Sequence, residues 1–288
     1  MIGFFRGMAA FWFLSAVFVG ILLLWSLVWV VRNLRRKARR GKLRAARTPP
    51  EWRRFLSEDV PLFNHLPPDL QEQLLGHVNV FLAEKRFEGC GGMEITEEVE
   101  VSIAGQACML MLNKKNPTYY PRLITVLVYP GAYVPKTPDG SGRWVEDGVR
   151  LGESWNSGEL VVAWDHVRRG AQDVKDGHNV VLHEFAHQLD QEDGAADGAP
   201  MLEQRSSYVA WGRVMHEEYD ALCDKAKRRK RDVMSRYGAT NPAEFFAVAT
   251  ETFFEKARKL REKHPELYEE LKDYYQMDPA EWPRPKRK

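Results

Sequence analysis

The chain has 288 residues, 44% of them hydrophobic and 28% charged, which argues against a disordered polymer and leaves room for one large or two small folded domains. Its net charge of +2 averages two unlike parts: ten of the 42 basic residues and none of the 40 acidic ones fall within residues 1–47, so the remainder carries −8. Three widely spaced cysteines, Cys90, Cys108 and Cys223, form no C-x-x-C pair, which argues against a disulfide framework and suits a reducing compartment.

From Met8 to Val31 the chain is apolar almost throughout and carries no charge. That length suffices for a helix to cross a hydrocarbon core of about 30 Å. Trp12, Trp25 and Trp29 are amphipathic aromatics suited to its interfaces. A cleaved signal peptide would have a shorter apolar region and a small-residue cleavage site. This run is longer and ends in Val-Trp-Val-Val-Arg, so an uncleaved anchor is expected, with the bilayer as partner of residues 8–31. Only Arg6 precedes the segment, whereas nine basic residues lie between Arg32 and Arg47. The positive-inside rule then puts the amino terminus outside an inner membrane and residues 32–288 in the cytoplasm. The expected division is an anchor at 1–31, a basic linker at 32–50, a folded body at 51–280 and a basic tail at 281–288.

Within the body, 52–84 reads as largely helical, restarting at Pro67-Pro68, with a break at Gly89–Gly92. Thr96 followed by Glu97 and Glu98 is a helix start, and the helix is mostly apolar to about Asn113. Ile124–Tyr129 is β-branched and followed by Pro130-Gly131, a strand and a turn. Val149–Trp155 and Leu160–Trp164 read as further strands joined by a hairpin turn at 156–159, the second offering an open edge to an extended peptide. A core helix, a Gly/Ala/Asp-rich loop at 191–200 and helices to the end complete an α+β pattern.

The core helix carries His183-Glu184-Phe185-Ala186-His187, an H-E-x-x-H pattern. Helical spacing of four aims His183 and His187 at one point, with Glu184 beside it as a base for a zinc-bound water. A catalytic zinc needs a third ligand. No third histidine follows at the extended spacing, which leaves a carboxylate from a later helix. Glu244, after Asn241 as N-cap and Pro242 at the first helical position, is either that ligand or a capping glutamate, and spacing alone does not separate the two. Asp190 and Glu251 are candidates to accept the second ring proton of a ligating histidine. His178 reads as a hydrogen-bonding residue at the helix start.

Gly177–Asp190 and Tyr237–Val248 together resemble the Mlc titration factor A family of zinc metallopeptidases, a likeness spanning about residues 50–280 and including Ile103–Cys108 and Leu160–Asp165. The resemblance implies a zincin-like domain of the gluzincin type. It implies zinc (Zn2+) held by His183, His187 and Glu244, with Glu184 as catalytic base and Tyr237 assisting at the oxyanion. It further implies a peptide or protein substrate hydrolysed by a zinc-activated water. The family's familiar members are soluble and bind the repressor Mlc; the apparent anchor here departs from them. The competing function is a membrane-tethered module that sequesters a transcriptional regulator. Basic runs at Lys225–Arg231 and Arg284–Lys288 are weak signals for nucleic acid, since no recognition fold accompanies them.

Overall fold

The computed structural model describes residues 2–132, 136–138, 144–146, 152–155, 158–202 and 207–283. The chain divides into two compact units, Met1–Ala46 and Arg47–Lys288. The first is a single helix, α1 (Ile2–Arg44). Within Phe18–Arg44 it holds an 18-residue window long and apolar enough to cross a bilayer, with a mean hydropathy of 1.5 and none of that window buried. The helix continues through 32–44, where the sequence suggests a linker, because the Arg, Lys, Leu and Ala there all favour helix.

The second unit begins with α2 (Pro50–Asp59), a 3-10 turn (Pro61–His65) and α3 (Pro68–Glu84). Pro50 and Pro68 open their helices, where the missing N–H has no partner to lose. A short strand follows that the sequence does not announce, β1 (Arg86–Gly89), and the expected break comes after it, with Gly91 and Gly92 at φ +61° and +82°. In α4 (Glu97–Met109), the Thr96 hydroxyl accepts from the Val99 N–H at 3.4 Å. Ten of its thirteen residues are buried, which makes it a core helix rather than a surface one.

Five more strands come next: β2 (Thr125–Tyr129), β3 (Lys136–Pro138), β4 (Trp144–Glu146), β5 (Gly152–Trp155) and β6 (Glu159–Ala163). The main sheet has the order β1-β2-β6-β5, in which β1, β2 and β6 run parallel and β5 antiparallel. β3 and β4 pair separately. The expected hairpin between β5 and β6 is present, although residues 149–151 and 156–157 of that reading lie outside the described residues. The expected open edge on β6 is corrected: β6 is bonded to β2 on one side and β5 on the other, so its backbone has no free edge. Four of its five residues are buried, the mark of an interior strand. Trp164 starts α5 (Trp164–Gln172) instead of ending the strand.

The rest is helical: α6 (Val180–Asp190), α7 (Ser207–Lys227), a 3-10 turn (Arg236–Ala239), α8 (Pro242–Glu255), α9 (Ala257–Lys263), α10 (Pro265–Tyr275) and a last turn (Pro279–Glu281). The basic run expected at 284–288 lies outside the described residues. Phe185 fixes α6 in the core, its ring centroid 4.7 Å from Tyr120 and 5.7 Å from Phe81 of α3. α8 is buried without a gap from Phe245 to Phe254 and packs along α6. Both helices are largely buried, α6 through Val181, Leu182, Phe185, Ala186 and Leu189. The three cysteines are free.

Candidate metal centre

α6 starts where Asn179 caps it: the side-chain oxygen accepts from the N–H groups of Val181 and Leu182 at 3.1 and 3.0 Å. One turn in, His183 and His187 point the same way, their Nε2 atoms 3.2 Å apart. α8 starts in a similar manner, with the Asn241 side chain accepting from the Glu244 N–H at 2.9 Å and Pro242 at the first turn. The cap is thus made by Asn241. The Glu244 carboxylate faces the histidines, with Oε2 2.9 Å from His183 Nε2 and 3.4 Å from His187 Nε2. All three side chains are largely buried, at 12%, 12% and 18% exposure, so they meet in a recess rather than on open surface.

These separations test whether a metal fits. Four ligand atoms around a tetrahedral metal at bonds of about 2.0–2.1 Å stand about 3.3 Å from one another. The observed 3.2, 2.9 and 3.4 Å match three such edges to within a few tenths of an ångström. Two imidazole nitrogens and one carboxylate oxygen also form a donor set suited to a catalytic transition metal with one position left open.

Glu251, two turns beyond Glu244 on α8, braces the centre from behind. Its Oε1 lies 2.6 Å from His183 Nδ1 and its Oε2 accepts from the Asn179 N–H at 2.6 Å. One carboxylate therefore orients the imidazole and ties down the start of α6, and leaves Nε2 facing Glu244 Oε2 and His187 Nε2. Asp190, the other residue expected in this supporting role, does not reach the histidines. It is fully buried and accepts from the Gly198 N–H at 3.0 Å, holding the loop after α6. Burial pushes its carboxyl up to about 6. The backbone of His178 bonds Asp176 at 2.9 Å, in keeping with a structural place at the helix start.

The electrostatics follow from three carboxylates crowding two imidazoles. Burial alone would lower the His183 pKa, but its bonds to Glu244 and Glu251 outweigh that and raise it to about 10. Burial opposes ionisation of Glu244 too, yet the two histidines hold it well below the usual carboxylate range. The His183 shift reflects the carboxylates around it, and the Glu244 shift reflects the two histidines in turn. Glu184 is 6% exposed, and burial raises its pKa, the direction needed for a carboxylate that accepts a proton during a reaction.

Tyr237 sits on the 3-10 turn before α8, 55% exposed, its ring centroid 5.8 Å from that of His183. The structure thus brings His183, Glu184, His187, Tyr237, Glu244 and Glu251 to one place and leaves Asp190 beside it. The part played by Asn179 is not named by the sequence reading, although an asparagine directly before an apolar helix is a legible N-cap signal.

The comparisons with known proteins fit this arrangement. The model of the glucose-regulated metallo-peptidase M90 family matches residues 32–276. An uncharacterized protein of Synechocystis is 44% identical over 236 residues, covering 80% of this chain and 85% of the relative. Mlc titration factor A of Klebsiella pneumoniae is 30% identical over 243 residues, covering 80% and 87%. The Pectobacterium atrosepticum protein of the same name is 30% identical over 245 residues, covering 81% and 88%.

Proposed function

The chain belongs to the glucose-regulated metallo-peptidase M90 family, and from that premise we propose that it is a zinc-dependent peptidase. The observation that carries this reading is the meeting of His183, His187 and Glu244 at tetrahedral separations beside a buried Glu184. His183, His187 and Glu244 would hold a zinc ion, which would supply Lewis acidity to a water and to the scissile carbonyl. Glu184 accepts the proton of the attacking water and passes it to the leaving amine. Burial has already raised its affinity for that proton. Tyr237 donates its hydroxyl hydrogen to the oxyanion that develops on the carbonyl. Glu251 keeps His183 from turning, and so keeps the ligand set in place while charge moves. An extended substrate adds to β5, the strand at that end of the sheet, which packs against α6.

In this reading α1 anchors the protein in the cytoplasmic membrane with its amino terminus outside. The basic residues 32–47 stay on the cytoplasmic side with the catalytic unit. The test of the peptidase reading is metal analysis of the purified full-length protein together with a fluorogenic peptide library. About one zinc per chain and cleavage that disappears in Glu184→Gln are the expected results, and equal cleavage by Glu184→Gln sinks the reading.

A second reading draws on the relatives' names, which describe proteins that titrate Mlc. The chain then sequesters a transcriptional regulator at the membrane. Glu184→Gln separates the two in cells: a preserved effect supports sequestration, and a lost effect supports hydrolysis.

A further inference from the structure

A second polar cluster lies where α7, the segment after it and the α9–α10 junction meet. The Asp232 side chain is 5% exposed and both its oxygens are engaged. Oδ1 accepts from His264 Nε2 at 3.1 Å and from the Met234 N–H at 3.0 Å, while Oδ2 accepts from Lys225 Nζ at 2.5 Å. His264, 4% exposed, bonds Glu218 of α7 through Nδ1 at 2.6 Å. Burial alone would lower the His264 pKa; its bonds to Asp232 and Glu218 raise it to about 9, so it donates from both nitrogens at neutral pH.

The segment this cluster holds runs straight into the turn bearing Tyr237. Lys256 Nζ donates to the Val233 carbonyl at 3.1 Å, and Met234 is buried. The Ser235 hydroxyl accepts from the Tyr237 N–H at 3.3 Å. On the far side Gly238 is wedged between α7 and α8: a Cβ there would stand 3.1 Å from Leu222 and 3.2 Å from Val248. Tyr237 is thus an exposed ring on a backbone pinned before and after it, and Asp232 is the first pin.

We propose that Asp232 and His264 form a positioning pair for peptide hydrolysis, fixing the segment that holds the Tyr237 hydroxyl at the metal centre. The proposal rests on Tyr237 acting at the oxyanion, and the test separates the two ideas. In the full-length zinc-loaded protein, Asp232→Asn, His264→Gln and Tyr237→Phe are compared on a fluorogenic peptide that the wild type cleaves. Asp232→Asn should lower kcat about tenfold, with KM and zinc content nearly unchanged, because the loss falls on a transition-state contact. In a Tyr237→Phe background it should lower kcat by no more than about twofold further, since both changes remove one interaction. Losses that multiply, or a kcat for Asp232→Asn within about twofold of wild type, overturn the proposal.

A readout apart from turnover is the fluorine resonance of fluorotyrosine at position 237, assigned by its absence in Tyr237→Phe. It should move towards the unfolded-chain position in Asp232→Asn and, by less, in His264→Gln, which keeps one donor and serves if Asp232→Asn does not fold. An unmoved resonance overturns the proposal. Full kcat in Tyr237→Phe overturns the catalytic reading of the tyrosine and the proposal's link to hydrolysis, even where the resonance moves.

Discussion

His183 and His264 are each bonded to a carboxylate at both ring nitrogens. His183 meets Glu251 at 2.6 Å and Glu244 at 2.9 Å; His264 meets Glu218 at 2.6 Å and Asp232 at 3.1 Å. Both are drawn up in pKa by those bonds against the opposing pull of burial. They differ in what completes the charge. Beside His264, Lys225 reaches Asp232 at 2.5 Å, so two cations face two carboxylates and the cluster is closed. Around His183 the additional groups are His187 and the buried Glu184, and among the described residues no lysine or arginine pairs with Glu244 or Glu251. The same three-residue unit is a structural clamp when a lysine balances it. In the proposed reading it becomes a receptor for an external cation when the balance is left open.

That contrast can be broken or sharpened by substitution. The largest expected effect is Glu184→Gln, which should lower peptide hydrolysis by about 10³-fold with zinc content unchanged; this checks that the open cluster is open for chemistry. Next is Glu244→Ala, for which elemental analysis should show zinc largely lost, and full stoichiometry would remove Glu244 from the ligand set. Glu251→Gln removes the brace but no ligand, so zinc affinity measured by competition with a chelator should weaken by about 10–100-fold.

Smaller effects are expected at the closed cluster. A chelator should lower the melting temperature of the wild type and leave the cost of His264→Gln unchanged, since Lys225 needs no metal to complete its pair. That cost should also depend on pH. The folded pKa of His264, about 9, lies above its ordinary 6.5. Its stabilisation is therefore full below pH 6.5 and lost as pH rises through about 9. Urea melts of wild type and His264→Gln should differ most near the low end of that window and least above it.

How much of this could be read from the chain differs between the same two places. His183 and His187 are four residues apart on one helix, so local geometry makes their convergence legible. Glu244 is on another helix, and its facing the two histidines follows from how α8 crosses α6, which spacing does not contain. Glu251 and Asp190 look alike as supporting carboxylates; only the crossing puts one behind His183 and the other under the loop at Gly198. The His264 cluster joins three segments with no motif at all. In the sheet, β1 escapes notice because Arg86-Phe87-Glu88-Gly89 has no apolar alternation and forms only by pairing in parallel with β2. β6 reads correctly as a strand, but its interior place follows from strand order, a property of the whole sheet.

α8 touches His183 at both ends of its ring, through Glu244 and Glu251 two turns apart. The helix therefore works as a caliper whose jaws are set by turn count. One residue inserted between them would swing one jaw by about 100° about the helix axis and release the imidazole, whatever residue was added. The length between positions 244 and 251 is thus as strict a requirement for holding His183 as the glutamates themselves.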